Sequence, residues 1–243
     1  MSTLKSNVIE PSTGTDLTLG AAGDVIDVFS DTLQLNTWKD SGGNTLFTSD
    51  GSGNLSSVNS ALDIGGGPNL ILSQTASSSS TIDFTTGIDS TYDKYMFVML
   101  NINPATNSQV FSFQVNASGQ TGFNETMTTT YFSAGHAESG GSGTLQYETG
   151  KDQAQGTSYQ PLTNSIGNVS DESASGILYL YAPSSTTYVK QFYATMNTYE
   201  ASNYCETTFI AGYINTTSAI TEVSFKVASG NINAGTIKMY GCR

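Results

Sequence analysis

Apolar residues come in short alternating bursts over the first quarter of the chain and in longer ones over the rest. From Asn7 to Ile64 the bursts are Val8-Ile9, Leu17 with Leu19, and Val25-Ile26 with Val28-Phe29; then come Leu33 with Leu35, Trp38, Leu46-Phe47, Leu55, Val58 and Leu62. Many are followed by turn residues, as in Pro11-Ser12-Thr13-Gly14, Ser41-Gly42-Gly43-Asn44 and Asp50-Gly51-Ser52-Gly53-Asn54. This predicts strands of about three to five residues, too short and too sparsely apolar to enclose a core alone. Phe29, Trp38 and Phe47 are nevertheless costly to expose. Two arrangements would cover them: identical chains wound about a common axis, or packing onto the following domain.

Asp63-Ile64-Gly65-Gly66-Gly67-Pro68 reads as a junction, because three glycines free the backbone and Pro68 sets an extended exit. The predicted organisation is an N-terminal attachment and trimerisation stalk over residues 1–66 and a head over 67–243. In the head, strands are predicted at 69–75, 81–85, 94–103, 109–116, 176–182, 188–196, 205–214, 220–228 and 236–240. The 94–103 strand is the most continuously apolar and is expected to be central. Ile177, Tyr179 and Tyr181 alternate against Leu178 and Leu180, the period of a pleated strand. Residues 119–173 show weaker periodicity and read as mostly irregular, and 200–204 has a faintly helical composition. Repeated strands with turn signals and no sustained helical period predict an all-β fold, a short-stranded stalk followed by an antiparallel β-sandwich head of jelly-roll type.

Composition narrows function mainly by exclusion. Charged residues are 12% of the chain, about half the usual share. Acids outnumber bases 20 to 8, for a net charge of -12. Arg243 is the lone arginine and the lysines are scattered, so the clustered bases that a phosphate backbone needs are missing and no nucleic-acid partner is expected. The longest apolar run, Tyr95 to Leu100, is far below the ~20 residues of a membrane-spanning helix, and no insertion is expected. Met1 to Ser6 lacks the apolar stretch of an export signal. Cys205 and Cys242 read as free buried thiols, pairing only if their strands are neighbours. No metal or cofactor is expected, since no CxxC occurs and His136 is the lone histidine.

Catalytic patterns are sparse. No GxSxG elbow accompanies His136, and Asp50 to Asn54 lacks the spaced acids of a calcium loop. The adjacent acids Asp171 and Glu172 diverge on a strand. Glu138, Glu148 and Asp152 are the acids that a polysaccharide-cleaving enzyme would have to use. The stronger pattern is aromatic: Tyr131, Phe132, His136, Tyr147 and Tyr159 lie among Ser, Gly, Asn and Gln, the setting in which rigid rings give contact area at low entropic cost. They are the candidate receptor- or glycan-binding residues, and Phe29, Trp38 and Phe47 the candidate oligomer-interface residues.

The opening LKSNVIEPSTGTDLTLG (Leu4 to Gly20) resembles the start of virion structural and fibre proteins of marine tailed bacteriophages, both tail fibres and capsid-mounted fibres. GIDSTYDKYMFVMLNINPATN (Gly87 to Asn107) and GTIKMYGCR (Gly235 to Arg243) resemble C-terminal domains of the same group. The resemblance implies a non-enzymatic virion component assembled in the bacterial host cytoplasm. It would be a homotrimer, joined to other virion proteins through its N-terminal segment, with a head that meets a host surface glycan or envelope protein. Two alternatives are a capsid decoration or head-fibre protein that coats or stabilises the shell, and a polysaccharide depolymerase.

Overall fold

The computed structural model describes residues 37–40, 42–52, 55–58 and 67–242, and the chain divides into two compact units, Met1–Ile64 and Gly65–Arg243. Among the described residues the secondary structure is all strand, joined by turns and loops.

In the first unit β1 (Thr37–Lys39), β2 (Thr45–Ser49) and β3 (Leu55–Val58) form an antiparallel sheet in that order. Asp40 shapes the β1–β2 turn by accepting the Gly42 and Asn44 amides on Oδ1 at 2.9 and 2.8 Å. These bonds, led by those from Asn44, hold its carboxyl below the usual range. Trp38 pairs with Phe47 across the strands and Phe47 with Val58; the Trp38 and Phe47 rings stack at 5.8 Å. Trp38, Leu55 and Val58 remain exposed. Phe29 lies outside the described residues.

The second unit carries β4 (Asn69–Thr75), β5 (Ile82–Phe84), β6 (Lys94–Pro104), β7 (Phe111–Ala117) and β8 (Met127–Ala137). The short β9 (Thr144–Tyr147), β10 (Ala154–Gly156) and β11 (Gln160–Pro161) follow. Then come β12 (Ala174–Tyr181), β13 (Lys190–Glu200), β14 (Tyr204–Ile214), β15 (Ile220–Val227) and β16 (Ile232–Cys242). A nine-stranded antiparallel sheet runs β10-β8-β14-β13-β12-β6-β16-β4, with β9 also on β8; a four-stranded sheet runs β11-β7-β15-β5.

Eight of these strands make a jelly roll. β4 pairs β16, β5 pairs β15, β6 pairs β12 and β7 pairs β11, so the first four strands alternate between sheets and the later four retrace them as one rolled-up ribbon. Two excursions are added. β8–β10 leave between β7 and β11, and β13–β14 between β12 and β15, and both extend the larger sheet.

The core follows from the alternation. Phe225 of β15 meets Phe97 and Phe111 at 5.6 and 5.7 Å and Phe84 at 6.1 Å, joining the two sheets through one ring. Truncating such a ring costs about 3–5 kcal/mol. Strand β6 is interior, as its apolar sequence requires, but it carries a bulge. Met99 and Ile102 both face inward because Leu100 and Asn101 stand opposite the single residue Ser175, with Asn101 at φ 52°.

The outer side of the small sheet is covered, although polar. Every residue of β7 is buried, including Ser112, Gln114 and Asn116. Gln114 Nε2 donates to the carbonyls of Glu125, Thr157 and Ser158 at 3.0–3.1 Å. Tyr159 lies over Ser224 with its hydroxyl donating at 3.0 Å, and Lys226 Nζ sits 4.0 Å from its ring centroid.

Three expectations are corrected. Residues 119–173 are not mainly irregular: they contain the eleven-residue β8, whose pairing with β14 carries it through the small residues Ser133-Ala134-Gly135 where its own apolar pattern stops. Residues 200–204, of faintly helical composition, end β13 and begin β14 through a turn at 201–203, with the Asn203 amide on the Glu200 carbonyl at 3.0 Å. Both cysteines are free, but Cys205 is exposed; β13, β12 and β6 lie between its strand and that of Cys242, well beyond disulfide reach.

Candidate binding face on the nine-stranded sheet

Alternation sends one set of side chains from each strand of the large sheet into the core and the other set outward. Register aligns the outward set into rows. One row runs Leu70, Tyr240, Met96, Tyr179, Tyr193 and Ala211; the next runs Ser73, Lys238, Val98, Ile177, Thr195, Phe209, Phe132 and Tyr147. Leu100, Tyr181, Tyr193, Phe132 and Tyr147 are exposed large residues on this side. The outward positions of these strands hold no aspartate or glutamate, and their two lysines are Lys94 and Lys238. Lys94 Nζ lies 5.6 Å from the Tyr179 ring centroid, and the rings of Tyr179 and Tyr181 stack at 6.3 Å.

At the β8–β9 edge the rings gather. Phe132 stacks on Phe209 at 5.0 Å, and Tyr147 stands opposite Phe132 across β8 and β9. The Tyr147 hydroxyl donates to Asp152 Oδ2 at 2.7 Å, which pushes that phenol's pKa up. Leu145, beside them, is 75% exposed. Ring faces with a carboxylate alongside can take the CH and OH faces of a sugar.

The five aromatic and histidine candidates therefore separate. Phe132 and Tyr147 come together at this corner. His136 is on β8 rather than in a loop, opposite Cys205, with Nδ1 2.9 Å from the Ala137 carbonyl and Nε2 3.0 Å from that of Gly141; its ring braces the β8–β9 connection. Tyr131 is a core residue and offers no ring to a ligand, since it precedes the outward Phe132 and must point the other way. Burial raises its phenol pKa, with Glu206 the next contributor. Tyr159 is on the small sheet, engaged by Ser224 and Lys226; burial raises its pKa as well.

The acids named for depolymerase chemistry have separate partners. Glu138 accepts from the Tyr199 hydroxyl at 3.2 Å, Glu148 from Ser133 Oγ at 3.0 Å and Asp152 from Tyr147. The carboxyl pair that the fold builds is Glu200 with Glu206, which the sequence reading missed. Glu206 occupies an inward position of β14, accepts Asn164 Nδ2 on Oε1 at 2.6 Å, and has no amide or hydroxyl on its buried Oε2. The neighbouring Glu200, when protonated, donates to the Glu206 carboxylate. Burial first, then the charge and hydrogen bond of Glu206, push the Glu200 carboxyl up to about 7. Its sequence signal was a glutamate in phase with the inward Thr208 and Ile210.

A polar hollow of about 460 Å³ at the ends of β6 and β16 is lined by Asn101, Asn103, Asp171 and Glu172 among others. Asn103 Nδ2 donates to the Glu172 carbonyl at 2.8 Å, and Glu172 Oε2 accepts the Val169 amide at 2.7 Å, so its polar groups largely satisfy the surrounding loop. Among the described residues no cluster of three His, Cys, Asp or Glu has metal-holding geometry.

These features define an antiparallel jelly-roll sandwich with a wide outer face whose strand positions carry rings and no acids. No family model, no curated protein and no solved structure matches the chain.

Proposed function

We propose that the chain is a non-enzymatic structural component of a tailed-phage virion, a homotrimeric fibre whose head contacts the host surface. The observation that carries the reading is the outer face of the nine-stranded sheet: rings, aliphatic side chains and hydroxyls, with no acid at its outward strand positions in a chain of net charge -12. Exposed apolar areas beyond a few hundred Å² mark interaction sites. The Phe132–Tyr147 corner, with Asp152 and the exposed Leu145, is the part suited to a host glycan or envelope protein. The first unit supports oligomerisation, because its three-stranded sheet leaves Trp38, Leu55 and Val58 exposed, apolar surface that a partner chain would cover.

Native mass measurement at micromolar concentration tests the trimer. A species at three times the 25.6 kDa chain mass is expected, and a monomer overturns it. Antibody labelling of intact particles then separates fibre from coat: label at a fibre tip supports host contact, whereas label spread over the shell replaces it with a decoration role.

A further inference from the structure

We propose that the middle of the outer face, over β16, β6, β12 and β13, is covered by further copies of the same chain, with the heads turning this face toward the common axis. The inference rests on the homotrimer reading above but places a contact in the head as well as in the stalk.

Charge selects the occupant. A chain with 20 acids and 8 bases repels its copies through most of its surface, yet no acid stands on the outward positions of these strands. Self-association through this face brings together rows such as Met96, Val98, Ile177 and Tyr179 and avoids that repulsion. A polysaccharide fits the middle rows less well than the Tyr147–Asp152 corner, because the outward positions of those rows hold no carboxylate to take its hydroxyls. Lys94 and Lys238 tolerate the arrangement: two cations on a face of hydroxyls and rings, one of them already over Tyr179.

Size limits the contact. Strands about 4.8 Å apart and a rise of about 3.4 Å per residue give β4 to β13 a projected area of roughly 500 Å² over the central rows, or roughly 1,500 Å² from three copies. Shared among the three contacts of a trimer this is roughly 500 Å² per pair, less than a stable interface buries alone, so the head contact adds to the stalk contact rather than replacing it. The β8–β9 edge is left outside, where its rings stay free for another partner.

Amine-reactive labelling of the full chain, read lysine by lysine by mass spectrometry, tests the contact. Lys94 and Lys238 lie on the face, and Lys151 in the β9–β10 connection is the reference. At micromolar protein the two face lysines are expected to react at least tenfold more slowly than Lys151, with the protection lost on dilution and in an L100E/Y193E variant. Both substituted side chains point outward and are 39% exposed, so the variant is expected to keep its circular dichroism spectrum. A trimer whose Lys94 and Lys238 react as fast as Lys151, in wild type and variant alike, overturns the head contact and leaves the homotrimer standing. A dimer with both lysines protected supports the covered face and overturns the trimer.

Discussion

The two outward faces of the sandwich are treated in opposite ways. The small sheet presents Ser112, Gln114, Asn116 and Ser224, which water would serve well, and the chain covers them with its own loops and with Tyr159. The large sheet presents Met96, Val98 and Ile177 half-buried and Tyr193 and Phe132 exposed. Covering a polar face requires matching hydrogen bonds, as Gln114 shows, so that contact is specific and internal. Covering an apolar face requires only shape, which another molecule can supply. The second unit uses its own loops on the first problem and keeps rings such as Tyr193 and Phe132 exposed on the other.

The largest expected effect breaks the covered face. Gln114→Ala strands the carbonyls of Glu125, Thr157 and Ser158, and a loss of about 2–3 kcal/mol is expected in urea unfolding. An unchanged midpoint would mean that water already serves that face and the contrast is false.

A middle-sized effect comes from the inward side of the added strands, where Glu200 lies against Glu206. With the folded carboxyl raised to about 7, the native state holds more protons than the unfolded state between the ordinary glutamate range and neutrality. The resulting stability is fully present at acid pH below that range and is lost as pH rises through about 7. Solvent at the partly exposed Glu200 holds the difference to about 1–2 kcal/mol. Thermal midpoints measured from pH 5 to pH 8 should fall, and Glu200→Gln should remove that part of the slope. A variant with the full wild-type slope would assign the dependence to other groups.

The smallest effect sharpens the open face. Leu145→Ser at the exposed β9 edge should leave unfolding free energy within about 0.5 kcal/mol of wild type while reducing retention on host cell envelopes. A stability loss above 1 kcal/mol would show that this side chain is packed rather than presented.

The sandwich was legible because β12 to β16 alternate large apolar residues with polar or aromatic ones, and such patterns identify a strand and its faces. β8 was only half legible. Its second half is a strand because β14 pairs with it residue by residue, a non-local cause that leaves little trace in Ser133-Ala134-Gly135-His136. The same gap affected the candidate site. Tyr131 and Phe132 were grouped as neighbours in a loop, whereas adjacent residues on a strand face opposite ways, and one of the pair was bound to be core. The widest part of the open face was missed because each strand contributes only two or three outward residues, and their alignment depends on register across strands distant in sequence.

The two excursions carry a further consequence. The ribbon of eight strands closes without β8–β10 and β13–β14, yet those segments are what double the breadth of the larger sheet. Lengthening a surface connection costs chain entropy only logarithmically. A lineage can therefore widen, narrow or re-decorate the exposed sheet by editing two connections while the rolled ribbon is inherited unchanged, so the surface can diversify at a different pace from the scaffold beneath it.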